Sequence, residues 1–188
     1  MRLTALGVYG PFPRAGSACS GYVVETGETR ILLDCGSGVF SRLSGVCQLD
    51  SIDAVVLSHL HFDHCSDMGV LRYAAEAGWC GEAPLRVIAP ETPAEIRDPL
   101  LDSPAFALEP AEDGKQIRIG DLTVMLHRMR PRSRPMAPRS RIQQASACFT
   151  RAIPAGSRNW KPWYTASISF LPTHALQMLK RRSARTST

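Results

Sequence analysis

Apolar and polar positions alternate from Arg2 to Tyr9, the period of a half-buried strand, and Gly10–Gly21 follows as a loop rich in Gly, Pro and Ser. Two apolar runs, Gly21–Glu25 and Arg30–Asp34, flank the turn sequence Thr26-Gly27-Glu28-Thr29 and predict a hairpin. Asp34-Cys35-Gly36-Ser37-Gly38 breaks the second strand. Val39–Cys47 then reads as a helix with Phe40, Leu43 and Val46 inward. Ile52–Leu57 is continuously apolar, which suits a strand buried on both faces. Ser58 to Cys65 reads as a loop, Asp67 as a helix N-cap, and Met68–Gly78 as a helix with Met68, Leu71 and Ala75 on one face. A short strand at Leu85–Ala89, a helix at Pro93–Leu101 and a hairpin of Gln116–Ile119 with Leu122–Leu126 around Gly120-Asp121 complete an alternating α/β layout without internal repeats.

Charge divides the chain in two. Of 188 residues, the first 130 hold 11 Lys and Arg and all 17 Asp and Glu. The remaining 58 hold 11 Lys and Arg and no acid, where the chain average would place about five. The composition changes near Pro131. The six cysteines, Cys19, Cys35, Cys47, Cys65, Cys80 and Cys148, show no paired spacing. The N-terminus has no apolar export core, so the expectation is reduced thiols in the cytoplasm. No apolar run approaches the roughly 18 residues of a membrane span, which excludes a membrane partner of that kind.

The candidate chemistry lies directly after the buried strand, in Ser58-His59-Leu60-His61-Phe62-Asp63-His64. Imidazole nitrogen and carboxylate oxygen are preferred zinc ligands. Three of the chain's five histidines fall in this one stretch, which argues against scattered surface histidines. An alternating loop would turn His59 and His61 toward one point and Asp63 and His64 toward a second. Two metal ions so held, roughly 3.5–4 Å apart, would share a water and lower its pKa toward neutrality.

This HxHxDH pattern resembles the signature of the metallo-β-lactamase fold superfamily, which includes glyoxalase II and ribonuclease Z. The segment GVYGPFPRAGSACSGYVVETGETRILLDCGSGVF is similar to the N-terminal strand, loop and hairpin of its small bacterial hydrolases, nearer the ribonuclease Z and cyclic-phosphodiesterase branch than the true lactamases. Asp34 and Gly36 match that branch's DxG. The resemblance covers about residues 1–130. It implies an αββα sandwich whose N-terminal half supplies HxHxDH. His59, His61, Asp63 and His64 become metal ligands, and Asp63 also orients the attacking water. Asp34 and Gly36 support the site without ligating. The implied cofactor is a pair of zinc ions, with manganese or iron as alternatives. The implied substrate is a small-molecule or nucleotide phosphodiester. Thioester or ester hydrolysis of the glyoxalase II kind is the alternative.

The family pattern also asks for a second half: a histidine in an HPV-like segment, a bridging aspartate in a GDT or GDS segment, and a last histidine. This chain offers His127, the candidate third ligand, and His174, with no acid after Asp121. His127 lies in Leu126-His127-Arg128-Met129-Arg130 with no following Pro-Val, and its competing reading is a strand-end histidine. The chain as written is therefore expected to bind metal weakly and to be crippled as an enzyme. Its uncovered sheet face would invite aggregation.

Three readings fit residues 131–188. One is a non-catalytic basic module for nucleic acid, with Trp160, Trp163 and Tyr164 as stacking platforms. A second is a solvated, disordered segment that leaves the C-terminal half of the sandwich missing. The third is a frameshift. A gene reading ATG CGC CAC CCG GTC GAG ACC TAT GGC encodes MRHPVETYG. Loss of the A of CAC gives MRPRSRPMA, which is Met129 to Ala137. The same shifted frame through Phe149–Pro154 permits LYTGDS or LYTGDT, and through Leu171–His174 it permits LADA. One deletion restores three family-like segments in the right order and accounts for an acid-free tail.

Overall fold

The computed structural model describes residues 1–129 and, beyond them, the backbone of two strands at Ser146–Ala147 and Thr165–Pro172. Its frame is a mixed sheet of six strands in sequential order: β1 (Arg2–Gly7), β2 (Gly21–Glu25), β3 (Arg30–Leu33), β4 (Ala54–Val56), β5 (Leu85–Ala89) and β6 (Phe106–Pro110). The first three pair antiparallel and the last three join in parallel. Parallel strands need crossovers. These are α1 (Val39–Leu43) between β3 and β4, α2 (Phe62–Cys65) with α3 (Met68–Glu76) between β4 and β5, and α4 (Ala94–Leu101) between β5 and β6.

The sheet is apolar on both faces because both are covered. Along β3, β4 and β5, Leu32, Val55 and Val87 face the helices and pack with Val39, Leu43, Met68, Leu71 and Leu101. Their neighbours Ile31, Leu33, Ala54, Val56 and Ile88 face the opposite way. There they meet Ile117, Ile119, Leu122, Val124 and Leu126 of a second sheet, built from β7 (Gln116–Ile119), β8 (Leu122–Met129), β9 (Ser146–Ala147) and β10 (Thr165–Pro172) in the order β7-β8-β10-β9. The described residues thus supply the α, β and β layers of an αββα sandwich. The sheet face expected to lie uncovered is covered over β2 to β5 by β7 and β8.

Several local expectations need correction. The first helix ends at Leu43, where Ser44-Gly45 follows, and Val46 is exposed. Asp67 sits at the start of α3, but its carboxylate accepts from the Phe40 backbone N–H at 3.0 Å and leaves its own helix uncapped. The stretch from Ser58 to Cys65 is not a loop throughout, since Phe62–Cys65 closes a helical turn. No helix among the described residues is long and apolar enough to cross a membrane. Cys35, Cys47, Cys65 and Cys80 are free thiols.

Candidate metal centre

Two parallel neighbours, β3 and β4, end side by side, and their first residues past the sheet form the site. Asp34 follows β3, and Ser58 to His64 follow β4. This is where open α/β sheets place their ligands. Asp34 takes a left-handed backbone with φ 55°, a strained conformation that Asp tolerates better than most residues. The turn drives its carboxylate inward, where it is buried. The following loop is bolted to the motif by backbone hydrogen bonds. Cys35 N–H donates to the His64 carbonyl at 2.7 Å, Ser20 N–H to the Asp63 carbonyl at 3.1 Å, and Asp67 N–H to the Cys35 carbonyl at 2.9 Å. Gly36 makes the close approach feasible, since a Cβ there would lie 2.0 Å from the Asp63 carbonyl oxygen.

Within this frame the Asp34 carboxylate collects donors. Ser58 N–H donates to Oδ1 at 2.8 Å, the Ser58 hydroxyl lies 2.8 and 3.0 Å from Oδ1 and Oδ2, and the Ser20 hydroxyl donates at 3.2 Å. His64 Nδ1 stands 2.6 Å from Oδ2, and His59 Nδ1 stands 3.0 Å from the Ser58 hydroxyl. The ring of His59 lies 4.6 Å from that of His61 and 3.9 Å from that of His64. The Asp63 carboxylate stands 3.7 Å from His64 Nε2. The two pairs expected from an alternating loop are therefore merged, because the helical turn at Phe62–Cys65 swings His64 back over His59 and onto Asp34.

Burial favours the neutral form of two of the imidazoles, His59 and His61. Burial, then repulsion from His64, depresses the His59 pKa from 6.5 to about 3 against the opposing pull of Asp34. Burial also lowers His61, against the pull of Asp63. Burial works against the Asp34 charge, but hydrogen bonding and attraction from His64 and the Ser58 N–H outweigh it and hold its carboxyl below the usual range. Desolvation, then the charges of Asp34 and Asp63, push the neighbouring Cys65 thiol up to about 12.

The donor set fits a divalent cation by its chemistry: imidazoles and a carboxylate, with His59 and His64 both engaging the protein through Nδ1. Among the described residues no three of these donors already converge on one point. His127 lines a cavity of about 150 Å³ with Ser58, Glu91, Asp113 and Arg128. His174, Trp160, Trp163, Tyr164 and Cys148 lie outside the described residues. Sequence reasoning missed Ser58 and Ser20, whose only signal was proximity to the motif and the loop.

The sequence profile of the Metallo-beta-lactamase superfamily matches residues 14–135. This chain belongs to that superfamily. It is 47% identical over 78 residues to the probable metallo-hydrolase YhfI of Bacillus subtilis (strain 168), a match covering 42% of this chain and 32% of that protein. It is 35% identical over 109 residues to a ribonuclease Z of Mycobacterium marinum, covering 54% and 37%. The crystal structure of YhfI superposes with a TM-score of 0.63 at 32% identity, covering 67% of this chain and 52% of that one. Human tRNase Z, short form, shares the fold with a TM-score of 0.55 at 16% identity, covering 69% and 60%. The chain thus spans well under half the length of the curated relatives it matches.

Proposed function

We propose that residues 1–130 are the metal-binding half of a zinc-dependent hydrolase that cleaves a phosphodiester, and that they work in a reducing, cytoplasmic setting. The observation that carries this reading is the cluster of His59, His61, Asp63 and His64 gathered over Asp34 at the ends of β3 and β4. Kinship with YhfI and a ribonuclease Z supports hydrolysis, and the second of these favours a phosphodiester substrate. The four residues would hold two zinc ions, or manganese or iron in their place, with Asp34 and Gly36 as supports. Bound cations supply Lewis acidity and a lowered pKa for the water they contact. Asp63 would accept a hydrogen bond from the attacking water and orient it, while the imidazoles would hold the cations.

Residues 131–188 are read as out-of-frame translation, beginning close to where the superfamily match stops at residue 135. On this reading the true third histidine is lost at position 131, and His127 serves at best as a poor substitute. Sequencing the locus across codons 125–155 decides it. An intact frame with no adjacent HPV, GD and ADA segments ends the frameshift reading.

Metal analysis of the purified chain, with bis(4-nitrophenyl) phosphate and a glutathione thioester as substrates, tests the function. Zinc uptake that disappears in His59→Asn and Asp63→Asn variants, with phosphodiester preferred over thioester, is the expected result. No uptake by the parent chain or by its frame-restored form sinks the reading. Metal-free protein that binds DNA with a steep salt slope supports the basic-module alternative.

A further inference from the structure

Hydrogen counting around Asp34 assigns a role to Ser58. A carboxylate accepts about four hydrogen bonds and donates none. Asp34 faces four groups: the Ser58 N–H, the Ser58 and Ser20 hydroxyls and His64 Nδ1. The Ser58 N–H has no choice but to donate. The Ser58 hydroxyl carries a single hydrogen, and its oxygen stands 2.8 and 3.0 Å from both carboxylate oxygens. If that hydrogen pointed elsewhere, lone pairs of three oxygens would confront one another in a buried site without a proton between them, a costly arrangement. The hydrogen therefore goes to Asp34.

What Ser58 Oγ then offers His59 Nδ1, 3.0 Å away, is a lone pair. The imidazole must be the donor, so Nδ1 carries the hydrogen of His59 and Nε2 carries its lone pair. We propose that Ser58 is a positioning residue that relays the Asp34 charge to His59, locks the Nδ1–H tautomer and thereby presents the Nε2 lone pair for metal ligation. One buried carboxylate sets two imidazoles, His64 by direct contact and His59 through the serine hydroxyl. The metal part of this inference rests on the reading under Proposed function, whereas the tautomer does not.

The Ser58 backbone bond to Asp34 does not involve the side chain, so Ser58→Ala removes the relay and keeps that anchor. Ser58→Thr keeps the hydroxyl. The full chain, labelled with nitrogen-15 histidine and freed of metal, is measured at mildly alkaline pH by long-range proton–nitrogen correlation. Zinc affinity is then measured by competition with a chromophoric chelator. The parent and Ser58→Thr are expected to show His59 as the Nδ1–H tautomer. Ser58→Ala is expected to populate the Nε2–H form of His59 while His64 Nδ1, which loses the Ser58 hydroxyl at 3.4 Å, keeps its contact with Asp34, and to bind zinc about 10–100-fold more weakly. An Nε2–H tautomer at His59 in the parent overturns the relay, as does an unchanged His59 spectrum in Ser58→Ala. The locked tautomer without any zinc uptake leaves the relay standing and overturns the metal reading instead.

Discussion

Gly36 and His59 are the two residues on which the site's shape and charge state turn. Any side chain at Gly36 must displace the Asp63 carbonyl, 2.0 Å from where its Cβ would stand, or Cys19 Cβ at 2.8 Å. Gly36→Ala is therefore expected to destabilise by about 1–3 kcal/mol and to loosen the motif, read as a lowered Tm together with weaker zinc binding. A substitution that leaves both unchanged contradicts the packing. His59 makes the metal-free protein acid-sensitive. The unfolded chain protonates this histidine near 6.5, while the folded one resists until about 3. Between those values the unfolded state holds the extra proton, so stability falls as pH falls, is full above 6.5 and stops changing below 3. Asp34, its carboxyl held below 3.8, adds a further loss only in the more acid range. Urea melts of chelator-treated protein should weaken from pH 6.5 downward, and His59→Gln should flatten that slope. A flat profile for the parent over this range refutes the buried, neutral assignment.

At the scale of elements, the β7–β8 hairpin shows what a sequence discloses and what it withholds. Its alternating apolar residues are a local signal, and the structure uses them as written: Ile117, Ile119, Leu122, Val124 and Leu126 all face the first sheet. Asp121 then ties the turn to the β2–β3 connection, accepting from the Thr26 hydroxyl at 2.6 Å and donating its N–H to Thr29 Oγ at 3.0 Å. No reading of either turn alone reveals that clasp, because its partners are over ninety residues apart. The same limit hid β6. Phe106-Ala107-Leu108-Glu109-Pro110 has no clean alternation, and its strand character comes from parallel pairing with β5. The residue types of the candidate site were legible, but their grouping was not, since the turn at Phe62–Cys65 replaces period two by period three to four. Leu122, fully buried between the sheets, is the test of docking. Leu122→Ala is expected to cost about 2–5 kcal/mol by urea titration. A cost well under 1 kcal/mol shows that the hairpin does not seal the inner face.

For the molecule as a whole, the candidate metal centre lies in a half of the chain whose charge composition differs sharply from that of the rest. The first 130 residues are net negative by 6 and pack both faces of their sheet, whereas the last 58 carry 11 positive charges and no acid. A basic tail selected to bind nucleic acid and a tail read in the wrong frame predict opposite outcomes when one nucleotide is re-inserted at codon 131. If the frame is wrong, the change replaces Pro131 by the histidine of an HPV segment and returns an aspartate near Ile153. Both supply donors that the present chain lacks. The restored protein should then take up two equivalents of zinc, at least about 10–100-fold more tightly than the 188-residue chain, and should hydrolyse bis(4-nitrophenyl) phosphate. It should also lose any salt-sensitive affinity for DNA, because the net positive tail is gone. If the tail is native, the insertion destroys a binding module and gains no metal. Side-by-side metal stoichiometry and salt-dependent DNA titration of the two proteins separate these outcomes. Equal zinc binding by both would show that the four residues after β4 hold all the metal this chain was built to hold.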